Sequence, residues 1–262
     1  MKILFIGDIF GEKGKEAIKN ELPILKQQNN IDIVIANAEN CTKGRSLSLA
    51  DYKLLCSYGV DYFTFGNHTY YLEEIKEVLK NKNTIRPLNL KLESPYYSWG
   101  NGTITFTYNN KNIRITNLLG STVYCHDIQT NPFIELEKLL SIDNSDIHVI
   151  DFHTETTSEK NAFLQHFAGK VSAILGTHTH IQSADERIYK NTAYITDTGM
   201  TGPSEGVIGA NPESIINMFR GQSPRFRLLE DTSKYQLNGI IIEFDNKTNE
   251  PINLKRIFIR EK

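Results

Sequence analysis

Cysteine is scarce, long apolar runs are missing and neither charge is in marked excess along this 262-residue chain. Each absence excludes something. The three cysteines, Cys41, Cys56 and Cys125, are an odd number at spacings that fit neither a disulfide framework nor a zinc ribbon, so a reducing cytoplasm is the expected setting. The opening run "ILFIG" is too short for the core of a signal peptide, and no stretch reaches the length needed to cross a bilayer. A cytoplasmic protein with no membrane role follows as the expectation. Lys+Arg 29 against Asp+Glu 31 leaves a formal charge of -2, without the basic excess of a dedicated nucleic-acid-binding module. Any affinity for anions has to be local. Neither internal repeats nor low-complexity tracts nor a Pro/Gly/Ser linker interrupts the chain, so one domain spanning residues 1–262 is expected, long enough to bury a real core.

What is present is an alternation of short β-branched and aromatic runs with longer charged segments of helical period, the pattern of an α/β protein. "KILFIG", "IDIVIANAE", "VDYFTFG", "IRITNLL", "DIHVIDFH", "VSAILG" and "TAYITD" read as strands, several of them apolar throughout as strands buried on both faces should be. "EKGKEAIKNELPILKQQN", "SLADYKLLCSYG", "YLEEIKEVLKN", "NPFIELEKLLS" and "SEKNAFLQHFAG" read as helices, the second starting at Ser48 and stopping at Gly59, the fourth opening on Asn131 and Pro132. Late in the chain "LNGIIIEF" and "NLKRIFIR" flank the turn-rich "DNKTNEP", which predicts an antiparallel hairpin and hence mixed sheets.

The unusual polar residues fall at the C-terminal ends of these strands, where open α/β sheets form their ligand sites. "LFIGD" ends in Asp8, "VIANAEN" in Glu39 and Asn40, "FTFGNH" in Asn67 and His68, "VIDFH" in His153, and "AILGTHTH" in His178 and His180. Side by side, these strands would bring eight side chains to one rim. Carboxylates, amides and imidazoles without thiolate suit hard to borderline divalent metals such as Mn, Fe or Zn. Each residue alone has a plainer explanation: Asp8 could cap the next helix, Asn67 after Gly66 could be turn chemistry, and a single histidine at a strand end is usually just hydrogen-bonded. Five independent apolar runs ending this way favour the metal. His178 and His180, two apart on extended backbone, would point the same way with Thr179 facing away.

The remaining histidines take the plainer reading. His148 lies five residues before His153 and so on the opposite strand face; His166 sits in a helix and His126 in a polar loop. Cys41 adjoins Asn40 but is inert unless its thiolate is stabilised. Asp197 in "ITDTG" would either orient a ligand histidine as an outer acceptor or start the turn. "GDIFGEKG" invites a dinucleotide-binding reading, but Gly7, Gly11 and Gly14 do not fit G-x-G-x-x-G.

The set "GD", "NAEN", "GNH", "DFH" and "GTHTH", in this order, resembles the YmdB-like branch of the calcineurin-like metallophosphoesterases, which are bacterial cyclic-nucleotide phosphodiesterases, and the similarity covers nearly the whole chain. The resemblance implies a four-layer α/β/β/α sandwich, metallophosphoesterase-like with mixed sheets, and a two-metal site. One metal would take Asp8, Glu39, Asn40 and His180, the other Glu39, Asn67, His153 and His178, with Glu39 bridging. His68 would donate a proton rather than bind metal. Most of the superfamily has Asp-x-His after the first strand; "DIF" here puts the non-ligating Phe10 in that place, and Glu39 stands where an Asp usually bridges. Both departures fit the branch and argue against a protein phosphatase. Ser121 follows Gly120 where the branch leads one to expect Arg.

The expected activity is metal-dependent hydrolysis of cyclic nucleotides, 2′,3′-cyclic and also 3′,5′-cyclic, through two divalent or transition-metal ions, Fe or Mn first and Zn next. A metal-bridging hydroxide would attack phosphorus while His68 protonates the leaving alkoxide. Two divalent metals, two carboxylates and one hydroxide leave roughly one positive charge, which matches a phosphodiester monoanion. The partners expected are thus a small phosphodiester, RNA as a further substrate, and a second copy of the chain in a homo-oligomer. Two alternatives stand beside this reading: a phosphomonoesterase, and an RNA-binding or regulatory protein with a vestigial metal site. No ligand position is lost, which argues against the latter.

Overall fold

The apolar runs build two β-sheets in the computed structural model, which describes residues 1–125, 128–229, 232 and 234–261. In chain order the elements are β1 (Lys2–Ile6), β2 (Asp8–Ile9), α1 (Gly11–Asn29), β3 (Ile33–Asn37), α2 (Leu49–Ser57), β4 (Tyr62–Thr64), α3 (Ile75–Val78), β5 (Thr84–Ile85), β6 (Thr103–Tyr108), β7 (Lys111–Leu119), α4 (Pro132–Leu140), β8 (Ile147–His153), α5 (Thr157–Phe167), β9 (Ala173–Thr177), β10 (Arg187–Tyr189), β11 (Thr192–Ile195), β12 (Met200–Pro203), α6 (Pro212–Phe219), β13 (Tyr235–Phe244) and β14 (Pro251–Arg260). The first sheet runs β2-β12-β13-β1-β3-β4-β5, with β14 on the far edge of β13; the second runs β10-β11-β9-β8-β7-β6. Parallel pairing joins β1, β3, β4 and β5 in one sheet and β7, β8, β9 and β11 in the other. The predicted hairpin is β13 and β14, paired antiparallel from Gln236↔Arg260 to Phe244↔Pro251.

Strand alternation sets the layers. Ile3 and Phe5 of β1 and Ile33 and Ile35 of β3 pack with Ile115, Val149 and Leu175 of the second sheet, filling the space between the sheets. Leu4, Ile6, Val34 and Ala36 point the other way, onto Ile18 and Leu22 of α1 and Leu55 of α2. On the outer face of the second sheet Ile150, Phe152 and Ile174 meet Phe163, Leu164 and Phe167 of α5. Each fully buried side chain of this size contributes about 1.5–3 kcal/mol relative to exposure. The result is the expected α/β/β/α sandwich with mixed sheets.

Helix starts follow their caps. The Ser48 side chain accepts from Asp51 N and the Asn131 side chain from Phe133 N and Ile134 N. α6 starts the same way, with Asn211 accepting from Ser214 N and Pro212 in the first turn, although its sequence was not read as a helix. One predicted helix is much shorter than its pattern: a 3₁₀ turn at Thr69–Tyr71 overlaps only the first of residues 71–81, and within them only α3 forms. Tyr70 leaves helical geometry to stack on Tyr96 with ring centroids 4.1 Å apart, and the Asn81 side chain takes the Val78 carbonyl at 2.7 Å, which closes α3 early. Local periodicity was overruled by aromatic packing.

Candidate metal centre

Because the parallel strands of both sheets end on one side, Asp8 after β1, Glu39 and Asn40 after β3, Asn67 and His68 after β4, His153 at the end of β8, and His178 and His180 after β9 meet at a single rim. The eight residues form one chain of contacts. His180 Nε2 lies 3.6 Å from Asp8 Oδ2 and 3.1 Å from Asn40 Nδ2. Asn40 Oδ1 is 2.8 Å from His68 Nδ1, and His68 N donates to Glu39 Oε2 at 2.8 Å. Glu39 Oε1 is 3.1 Å from His153 Nε2, which also lies 3.0 Å from Asn67 Oδ1 and 3.0 Å from His178 Nδ1. Gly66 makes this crowding feasible, since a Cβ there would stand 2.4 Å from His153 Nε2 and 2.5 Å from Glu39 Oε2.

Outer contacts fix which imidazole nitrogens face inward. His153 Nδ1 is engaged by Thr177 Oγ1 at 2.9 Å, and that hydroxyl donates to the buried Asp151 carboxylate at 2.6 Å. His178 Nε2 pairs with Glu155 Oε2 at 2.9 Å, and His180 Nδ1 meets the Ile208 carbonyl at 3.1 Å. With the outer nitrogens as donors, His153 Nε2 and His178 Nδ1 turn lone pairs toward each other. Buried Asp8 Oδ1 has no hydrogen-bond partner among the described residues, and Glu39 Oε1 meets imidazole nitrogens at 3.1 Å (His153 Nε2) and 3.7 Å (His68 Nδ1). Opposed lone pairs beside an orphaned carboxylate oxygen are what a cation would resolve, and ligand atoms of Glu39, His153 and His178 all lie within 4.8 Å of one another. The donor set fits a divalent ion of Mn, Fe or Zn type.

The backbone reading of "GTHTH" needs correcting. The strand stops at Thr177, and His178 (φ 100°) and His180 (φ 67°) both adopt positive φ, so the two imidazoles converge through a tight turn and not through extended alternation. Non-glycine residues in such conformations carry strain of order 1–3 kcal/mol each. Asp197 accepts from Thr179 N at 3.1 Å and from Gly199 N at 2.8 Å, and the buried Lys160 clamps it at 2.7 Å while also donating to Thr177 O at 2.9 Å. Asp197 therefore holds the backbone of the histidine turn and touches no imidazole through these bonds.

The electrostatics express the same congestion. Burial pushes the Asp8 carboxyl well above its usual range. Burial also works against the Glu39 charge, yet His153 and His68 outweigh it and hold that carboxyl far below the usual range. Burial would lower His153, but Glu39, Asp8 and Asp151 lift it to about 9. His178 is pushed down to about 3 by burial and by the neighbouring His153.

Other expected features fall as follows. Phe10 is buried and turns its ring edge to His180, with centroids 5.6 Å apart, so it packs against an imidazole where it cannot ligate. Cys41 is buried, its thiol raised far above normal by desolvation. Ser121 lines a separate cavity of about 280 Å³, and its amide donates to Glu159 at 2.6 Å. His166 is exposed and pairs with Glu137 at 2.7 Å; His126 lies outside the described residues. Sequence reasoning missed Glu155, Lys160, Thr177 and Asp151, although Asp151, two before His153 on the same strand face, was open to the alternation argument. It also missed segment 207–228, which walls a cavity of about 970 Å³ over the rim. The Asn211–Pro212 start, matching Asn131–Pro132, was the available signal.

Three comparisons bear on this site. A Mycoplasma genitalium protein named as a phosphatase/phosphodiesterase is 45% identical over 262 residues, spanning 99% of this chain and 93% of that protein. The Bacillus subtilis 2′,3′-cyclic-nucleotide 2′-phosphodiesterase is 38% identical over 266 residues, spanning 100% of this chain and 98% of that one. The crystal structure of a phosphatase from Mycoplasma pneumoniae superposes with a TM-score of 0.96 at 45% identity, over 99% of this chain and 93% of that chain. Fold and relatives together define a phosphoesterase enzyme built on the metallophosphoesterase sandwich. Within that class, the match to the YmdB-like protein family over residues 4–257 is decisive, and the chain belongs to that family.

Proposed function

We propose that this chain is a metal-dependent phosphodiesterase acting on cyclic nucleotides, 2′,3′-cyclic and also 3′,5′-cyclic, with residues 1–262 working as one unit. The observation that carries the reading is the pair of facing imidazole nitrogens, His153 Nε2 and His178 Nδ1 at 3.0 Å, beside the Glu39 carboxylate and the unpartnered Asp8 Oδ1. The name of the Bacillus subtilis relative supports the cyclic substrate. In this reading Asp8, Asn40 and His180 hold one ion, Asn67, His153 and His178 the other, and Glu39 both. Two divalent ions, when bound, polarise a phosphoryl oxygen and lower the pKa of water toward about 7.

The chain's own groups do the rest. Thr177 and Glu155 keep the His153 and His178 tautomers that leave Nε2 and Nδ1 as ligand atoms. The Lys160–Asp197 pair keeps the histidine turn in place. His68 lines the cavity from the position after Asn67, with Nδ1 on Asn40 Oδ1, and delivers a proton to the departing alkoxide. The protein purified without chelator is expected to carry close to two transition-metal ions and, supplemented with Mn or Fe, to hydrolyse cyclic nucleotides faster than monoesters. Absence of bound metal with no thermal stabilisation by Mn, Fe or Zn would refute the site. Faster turnover of monoesters would make the chain a phosphomonoesterase.

A further inference from the structure

The cavity over the rim holds more than a cyclic phosphate requires. One wall comes from α6 and the segment after it, where Phe219 is 81% exposed and Phe226 43% exposed, with Met218 and Ile215 also lining the cavity. Lys43 and Arg45 line the cavity from the loop after β3, and Arg225 lines it from the segment after α6. The Arg45 guanidinium is already laid over the Tyr71 ring, 4.3 Å from its centroid. None of these three cations has a carboxylate partner among the described residues, and of the two glutamates that line the cavity Glu39 belongs to the rim and Glu155 is engaged by His178. At about 970 Å³ the cavity stands near the upper end of the roughly 300–1,000 Å³ typical of small-molecule sites.

A cyclic mononucleotide brings a single negative charge, which the metal rim takes. The three outer cations would then face no anion, and the exposed aromatic wall would be covered by one base at most. A substrate that carries a second phosphodiester and a second base satisfies both features, because aromatic faces take bases of any sequence and unpaired cations take backbone phosphate.

We infer that the outer half of this cavity binds the penultimate nucleotide of an oligoribonucleotide whose 3′ end is a 2′,3′-cyclic phosphate, its phosphodiester on Lys43, Arg45 and Arg225 and bases against Phe219 and Phe226. The inference rests on the cyclic-nucleotide reading of the rim and adds a substrate class to it. With net charge -2 the protein carries no overall basic excess, so the contact proposed is the local one at these three cations.

The test compares kcat/KM of the metal-loaded enzyme on adenosine 2′,3′-cyclic phosphate and on a diribonucleotide with the same cyclic end. The dinucleotide is expected to be favoured about tenfold or more at low salt, the preference shrinking as salt rises. Lys43→Ala combined with Arg225→Ala should bring the ratio near one, while Lys43→Arg keeps it. Phe219→Ala should raise KM for the dinucleotide about tenfold with kcat retained. Equal kcat/KM for the two substrates, or a ratio unmoved by the double variant, overturns the inference. If the metal-loaded enzyme turns over no diester at all, bis(p-nitrophenyl) phosphate included, the reading of the rim has failed instead. Anisotropy of a fluorescent dinucleotide then judges the outer subsite alone: binding weakened by the double variant supports it, and unchanged or absent binding overturns it.

Discussion

His148 and His153 lie on the same strand, are both buried, and differ in what surrounds them. His148, at the start of β8, has Nδ1 2.7 Å from Asp143 Oδ2 as an ion-pair contact and Nε2 within hydrogen-bond reach of Thr116 Oγ1 at 2.8 Å, so each ring nitrogen faces one neighbour. Burial lowers its pKa, and Asp143, despite its own burial, is held well below the carboxylate range by His148 and the Ser145 amide. His153, at the end of the same strand, has its Nε2 3.1 Å from Glu39 Oε1, 3.0 Å from Asn67 Oδ1 and 3.0 Å from His178 Nδ1 at once. Burial alone does not distinguish a structural histidine from a functional one. The difference lies in whether each ring nitrogen meets one neighbour or several ligand-type atoms converge on the same nitrogen.

Glu39→Gln should break the functional end most completely: activity should fall by about 10³-fold or more and metal content should drop at both positions, because an amide cannot neutralise two adjacent cations. Retention of two metals and near-normal turnover, measured by elemental analysis and assay, would disprove the bridging role. Next in size is His68→Ala, expected to lose about 10²–10³-fold on a cyclic nucleotide and much less on bis(p-nitrophenyl) phosphate, whose leaving group needs no proton. Equal losses with metals intact would assign His68 to charge stabilisation, and loss of metal would make it a ligand.

Asp197→Asn reaches the rim indirectly, by loosening the turn that carries His178 and His180. Metal affinity is expected to fall about 10–100-fold, as for other outer-shell changes, and metal titration would show it. At the opposite end of β8, His148→Ala should cost about 2–3 kcal/mol in a denaturant titration, the value of hydrogen bonds to a charged group, with turnover per folded molecule unchanged. A loss of turnover there would erase the contrast between the two histidines.

The smallest effect concerns Glu159, beside the chain that leaves His153. Burial opposes its charge, but the Thr154 hydroxyl at 2.6 Å, the Ser121 amide and Thr122 outweigh it and lower its pKa. A carboxylate whose folded pKa is depressed adds stability above its unfolded value of about 4.3 and loses it as pH falls through the lower folded value. Urea midpoints measured from pH 7 to pH 3 should therefore fall less steeply for Glu159→Gln than for the parent chain.

Much of the rim was legible because a strand end is a local event: an apolar run, then a polar residue, at Asp8, Glu39, Asn67, His153 and His178. The β13–β14 hairpin was legible for the same reason, its turn residues lying beside its strands, where Asp245 Oδ1 accepts from Lys247 N at 2.7 Å and Thr248 N at 2.9 Å. The resemblance supplied the sandwich before any pairing was known. Tertiary structure alone decided the order in which fourteen strands pair among the described residues. It alone decided that residues 71–81 give up helix for the Tyr70–Tyr96 stack, that positive φ at His178 and His180 is held by Lys160 and Asp197, and that α6 closes over the rim with Phe219 and Phe226. The contacts behind each lie far apart along the chain, Lys160 and Asp197 by 37 positions and Asn40 and His180 by 140. Periodicity records which face of an element is apolar; the element that covers that face, and the charge that meets a given carboxylate, are chosen only when distant segments compete for the same space.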